Sequence, residues 1–227
     1  MYNRGQFMPD RDATLFVITI LILFLSIGLH EFAHAKVADS AGDPTPRIYG
    51  RVTLNLFKHF DPFGFIMILV TSYTGFGIGW GRPVPCDPRK MRNPKWDHFL
   101  TVAAGPITNI LLAAVFALLF HLSVGMQWTG AYWIAFLLLG VVINLSLAVF
   151  NLIPLGPLDG HWLVGAFLPE RSRYAWYRWN QTTGTFLLLG LVLFGQINPS
   201  LNVLGKILRP VTNFFMNLFG LPNFLTS

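Results

Sequence analysis

Uncharged apolar runs separated by polar, basic connections set the pattern of this chain. The first run extends from Ala13 to about Ala35. It is free of charge from Leu15 to Leu29, and His30, Glu31 and His34 crowd its end. Two further clear runs lie at His98–Phe120 and Ala131–Ile153, with a slightly short one at Thr182–Ile197. Leu201–Phe219 is also apolar but carries Lys206, Arg209 and Pro210, so it either crosses a bilayer or lies in its interface. About 20 residues cross the hydrocarbon as a helix, and each clear run reaches that length. Gly64–Trp80 is shorter and holds four glycines, which points to a partly helical or re-entrant segment ending in an irregular GFGIGWG loop. Arg47–Phe57, RIYGRVTLNLF, alternates loosely between β-branched or aromatic and polar residues and predicts a short strand or hairpin. The fold class is therefore an all-α polytopic membrane protein of about four to six transmembrane segments, with a short β element and a re-entrant segment.

Composition agrees with the pattern. Hydrophobic residues make up 53% of the 227 positions and charged ones 11%, less than half the usual charged share of a soluble domain. Asp10, Arg11 and Asp12 form a mixed flank without a small-x-small cleavage site, so the first run reads as a span and not as a leader. The single cysteine, Cys86, excludes a disulfide scaffold and a cysteine-rich metal cluster. A net charge of +6 does not signal nucleic acid, because the basic residues sit in the gaps between spans. With Gly64–Trp80 not crossing, Lys36–Lys95 holds nine Lys/Arg on one side of the membrane. His121–Gly130, on the other side, holds none, and Asp159–Asn180, back on the first side, holds three. That asymmetry predicts that both basic segments face the cytoplasm.

His30-Glu31-Phe32-Ala33-His34 is an HExxH. Residues i and i+4 lie one helical turn apart, so two imidazoles can meet one zinc ion at about 2.0–2.1 Å. Glu31, on the adjoining face, is placed to take a proton from a water at that metal. A catalytic zinc takes three protein ligands. Asp159 is the leading candidate for the third, because the Ala131–Ile153 span returns the chain to the side where the first span ends. His161 is the rival, and an N-cap role is the plain reading of Asp159. His59, His98 and His121 read as loop or interface residues, with His121 on the opposite side. The middle spans are almost bare of charge, which disfavours a transporter. Neither a G-x-S-G turn nor paired intramembrane aspartates are present for serine or aspartyl chemistry.

Several stretches occur together in order: His30–His34, Gly42-Asp43-Pro44, Gly50-Arg51-Val52-Thr53-Leu54-Asn55, Asp61-Pro62-Phe63-Gly64, Gly79–Pro85, Ala104-Gly105-Pro106 with Asn109, and Asn151-Leu152-Ile153-Pro154 leading to Asp159-Gly160. In these the chain resembles the site-2 proteases, intramembrane zinc metalloproteases, over roughly residues 15–170. It is similar to the short forms, which lack PDZ-like and nucleotide-binding modules. The resemblance implies a protease core over 1–170, with 171–227 adding C-terminal transmembrane or interfacial segments to the same domain. It implies zinc held by His30, His34 and Asp159, with Glu31 as the catalytic base. Asn151 would position substrate or support the transition state, its plain alternative being a hydrogen bond to a neighbouring helix. Asn109 shares that candidate role, and helix support beside Pro106 is its simpler reading. Implied partners are transmembrane protein substrates and the bilayer of a bacterial inner membrane, with the active site toward the cytoplasm. A homo-oligomer or regulatory membrane partner stays open. The alternative function is a silent zinc-binding pseudo-protease, against which Glu31 argues.

Overall fold

The computed structural model describes residues 12–74 and 79–222. Helix α1, Ala13–Ser40, opens on Asp12, whose carboxylate accepts the Thr14 N–H at 2.8 Å. Its 28 residues extend about 42 Å, so the HExxH lies within the helix, followed by two polar turns. At Gly42 the backbone turns left-handed, φ +109°, a conformation that favours glycine. Asp43 is fully buried just beyond it and accepts the N–H groups of Thr45 (2.9 Å) and Asp87 (2.6 Å). This ties the loop before the next long helix to the end of α1.

No strand forms among the described residues, which corrects the expected β element. Thr45–Ile48 is a helical turn, α2, and Leu56–His59 is a 3-10 turn capped by the Asn55 side chain on the Phe57 N–H. The alternation in RIYGRVTLNLF has no second strand to pair with. Pro46, Gly50 (φ +66°) and Asn55 each favour a turn over extended chain. Helix α3, Pro62–Thr74, is too short to cross at 13 residues. Residues 75–78 of the expected GFGIGWG loop lie outside the described residues. Beyond them the chain runs back along α3: a Cβ at Gly79 would meet Ile68, and one at Gly64 would meet Trp80. Arg82 N–H then reaches the His59 carbonyl at 2.8 Å.

Helix α4 spans Pro94–Gly125 and α5 spans Ala131–Asn151. With α1 they are the three described helices long and apolar enough to cross a membrane, against the four to six segments expected. They pack on one another, and Phe116, Leu137, Val141 and Leu145 form the centre of the largest apolar cluster. Helix α6, Asp159–Phe167, follows a short loop. Helix α7, Glu170–Trp179, then continues through a π-helical turn, Asn180–Gly184, into α8, Thr185–Ile197. Helix α9, Val203–Leu218, lies lengthwise and antiparallel against α5. Its Leu204 packs with Ile153 and Leu158, and its Met216 with Leu137 and Val141. The 16 residues of α9 cover about 24 Å, less than the length of α5 against which they pack.

Candidate metal centre

Three side chains from two distant parts of the chain converge. His30 and His34 face the same way from α1, with their Nε2 atoms 3.0 Å apart. Asp159, in the first turn of α6, brings Oδ2 to 3.2 Å from His30 Nε2 and 3.4 Å from His34 Nε2. Among the described residues they are the one group of three with metal-ligand spacing, all ligand atoms within 4.8 Å of one another. His161 is outside it; its ring is buried against Trp162 and Tyr177, and Nδ1 donates to the Leu158 carbonyl.

The outer hydrogen bonds decide what the three atoms offer. His34 Nδ1 lies 2.7 Å from the Thr101 carbonyl oxygen, which can only accept, so Nδ1 carries the proton. A directed chain does the same for His30. Asn144 Nδ2 donates to the Gly140 carbonyl, leaving Asn144 Oδ1 to accept from Asn109 Nδ2 at 3.0 Å. Asn109 Oδ1 then accepts from His30 Nδ1 at 2.6 Å. In the neutral rings both Nε2 atoms therefore present lone pairs, and both point at a buried carboxylate oxygen that accepts no hydrogen bond. Three electron-rich atoms at such distances repel one another unless a cation sits among them. Two imidazoles and one carboxylate oxygen are a fitting donor set for zinc, and the outer hydrogen bonds are those that orient ligating histidines.

Gly105 makes the space. A Cβ there would fall 2.4 Å from His34 Nε2 and 2.6 Å from His30 Nε2. Any larger residue here on α4 would crowd both imidazole nitrogens of α1.

Of the other expected site residues, Asn151 lines the cavity beside the triad and returns one N–H of Nδ2 to the Leu147 carbonyl at 3.0 Å. Asn109 is fully buried, and its amide is taken up by His30, Asn144 and, at 3.4 Å, the Ser26 carbonyl. That placement sets it against a candidate ligand, and it also lines the cavity. Asn144 and the Thr101 carbonyl were missed. An asparagine in an otherwise bare span was the available signal for the first, since it is costly there without a partner. His59 donates to the Thr53 carbonyl and His121 to the Phe219 carbonyl, at the α4 end far from the triad. His98 lines the cavity edge-on to Trp162.

The cavity has a volume near 870 Å³ and an apolar lining that includes Met67, Val70, Trp80, Leu147, Leu188 and Leu193, with Glu31 and the three candidate ligands at its polar end. Cys86 also lines it. Burial, followed by the negative charges of Asp43 and Glu31, pushes its thiol up to about 12. The thiol stays neutral at physiological pH and is not a nucleophile. Iodoacetamide at pH 8 is expected to alkylate Cys86 at least about a hundredfold more slowly than free cysteine, as read by mass spectrometry of the intact chain.

Membrane-crossing helices around an HExxH–Asp centre define a membrane metallopeptidase. The comparisons agree: the sequence matches peptidase family M50 over residues 18–132 and 124–195, and the chain belongs to that family, whose peptidases are zinc-dependent. It is similar to three proteins that each carry the name "Putative zinc metalloprotease". YwhC of Bacillus subtilis is 37% identical over 197 residues, covering 85% of each chain. Rip2 of Mycobacterium tuberculosis is 31% identical over 201 residues, 86% of this chain and 72% of its own. MJ0611 of Methanocaldococcus jannaschii is 29% identical over 153 residues, 67% and 71% respectively. No solved structure matches the fold.

Proposed function

We propose that this zinc metallopeptidase cuts membrane-protein substrates within or beside their transmembrane segments, with His30, His34 and Asp159 holding the metal and Glu31 moving the proton. The observation that carries the reading is the convergence of three candidate ligand atoms on an apolar cavity between helices long and apolar enough to cross a membrane. Zinc held there supplies Lewis acidity, polarising a peptide carbonyl and lowering the pKa of water toward about 7. Glu31 takes the proton of the attacking water on its carboxylate and passes it to the departing amine nitrogen. Asn151 keeps a second N–H on Nδ2 to give to the carbonyl oxygen as negative charge grows there. Apolar walls suit a substrate whose flanking residues come from lipid, and the substrate's own helix must open locally to present a carbonyl.

The test is co-expression with a panel of tagged single-span membrane proteins. A fragment whose new end maps inside the span is expected with wild type and absent with Glu31→Gln. Identical fragments with both proteins would overturn the reading.

The site is further proposed to open toward the cytoplasm of a bacterial inner membrane, on the strength of twelve Lys/Arg on its side against none in His121–Gly130. An alkaline phosphatase reporter, active only outside the cytoplasm, is expected to be active when inserted at Gln127 and inactive at Arg89. The reverse pattern would invert the orientation.

A further inference from the structure

Asp159 sits at the end of a loop, residues 152–158, that links α5 to α6. Most of its backbone bonds are internal or return to α5: Leu152 to Ala148, Ile153 to Phe150, Leu155 to Ile153, and Leu158 to Leu155. The Gly156 N–H, three residues before the carboxylate, goes elsewhere. It donates to Asn180 Oδ1 at 2.7 Å, in a buried bond between groups 24 residues apart. The two backbones also touch, since a Cβ on Gly156 would fall 2.5 Å from the Asn180 carbonyl oxygen.

Asn180 is fully buried and begins the π-helical turn that joins α7 to α8. Its Nδ2 donates to the Trp176 carbonyl, and its own carbonyl accepts from Thr185 Oγ1 at 2.9 Å. Gly184 leaves the room: a Cβ there would come 2.7 Å from Asn180 Oδ1. An inserted π turn costs helix regularity and recurs at functional sites. Here it turns an amide out of the helix ladder and onto the neighbouring loop. Beyond the turn, Thr185, Leu188, Leu189 and Leu193 of α8 wall the cavity. Leu188 packs with Ile153 and Leu158, on either side of Gly156.

We infer that Asn180 is a positioning residue for Asp159, its amide clasping the ligand-bearing loop to the helix that walls the cleft. The inference rests on Asp159 being a metal ligand, and the experiment separates the two claims. Zinc affinity is measured by chelator competition on the full-length chain in detergent, for wild type, Asn180→Ala, Asp159→Ala and the double variant. Cobalt absorption spectra of the same four proteins report ligand geometry.

Asn180→Ala is expected to weaken zinc about tenfold, within the range for lost outer-shell support, and to alter the cobalt spectrum. In the Asp159→Ala background the same change is expected to leave affinity and spectrum unmoved, because the group it positions is gone. If Asp159→Ala alone binds zinc like wild type, the ligand assignment falls. If Asp159→Ala weakens binding but Asn180→Ala does not, the clasp falls and the ligand stands. Equal losses from Asn180→Ala in both backgrounds mean a general structural role and also overturn it.

Should Asn180→Ala fail to fold, hydrogen exchange on the wild type decides. Zinc loading is expected to slow exchange in residues 152–158 and 180–184 together. Slowing confined to 152–158 would overturn the clasp.

Discussion

Gly105→Ala is expected to strip the site of zinc while leaving the helices in place. The added methyl would stand 2.4 Å and 2.6 Å from the two candidate ligand nitrogens, against about 3.5–4.0 Å for relaxed contact. Three ways out exist, and each damages the centre. α4 can back away from α1, the rings can rotate off Asn109 and Thr101, or Asp159 can be left out of reach. Loss of ligand orientation alone costs up to about a hundredfold in affinity, so a loss of at least that size is expected by chelator competition. Circular dichroism is expected to stay that of wild type, because alanine favours a helix more than glycine does. Gly125→Ala is the control; a Cβ there meets nothing within 4 Å, and zinc binding should not change. A Gly105→Ala protein with wild-type affinity would show that the ligand atoms do not meet at this helix contact.

Glu31→Gln separates holding the metal from using it. Glutamine keeps the size and polarity of the side chain but cannot accept a proton at that atom. Turnover of a cleaved substrate is expected to fall by about a thousandfold, within the range lost with a general acid–base group, at unchanged zinc content. Substrate affinity should be little changed, which makes the variant a trap. A loss of less than about tenfold would move the proton transfer to another group, and His98 is the imidazole on the cavity wall, among the described residues, that is not a candidate ligand.

What could be read in advance follows the range of the interaction. The meeting of His30 with His34 is a consequence of helical spacing four residues apart. The three long helices follow from apolar runs, but their ends do not. Helix α4 begins at Pro94, before the apolar run, because Asn93 caps a polar turn that hydropathy cannot register. The arrival of Asp159 beside the histidines was legible only from the count of crossings and from a family resemblance. Helix support from Asn109 was legible, but its partner and the roles of Asn144 and the Thr101 carbonyl were not, since they depend on how α4 meets α1 across 67 to 79 residues of chain and how α5 meets α4 across 35. Likewise, nothing local in Trp179-Asn180-Gln181 announces a π turn or the Gly156 N–H that its amide meets. The expected strand failed for a different reason. Alternation over Arg47–Phe57 needs a paired strand to hold it extended, while Pro46, Gly50 and Asn55 spell turns.

The most direct test of the metal centre is X-ray absorption at the zinc edge of the full-length chain in detergent. Two imidazole nitrogens at about 2.0–2.1 Å and a carboxylate oxygen at about 2.0–2.2 Å are predicted, with the carboxylate contribution absent from Asp159→Ala. Sulfur scattering, which would bring in Cys86, or a third imidazole, which would bring in His98 or His161, would contradict the account.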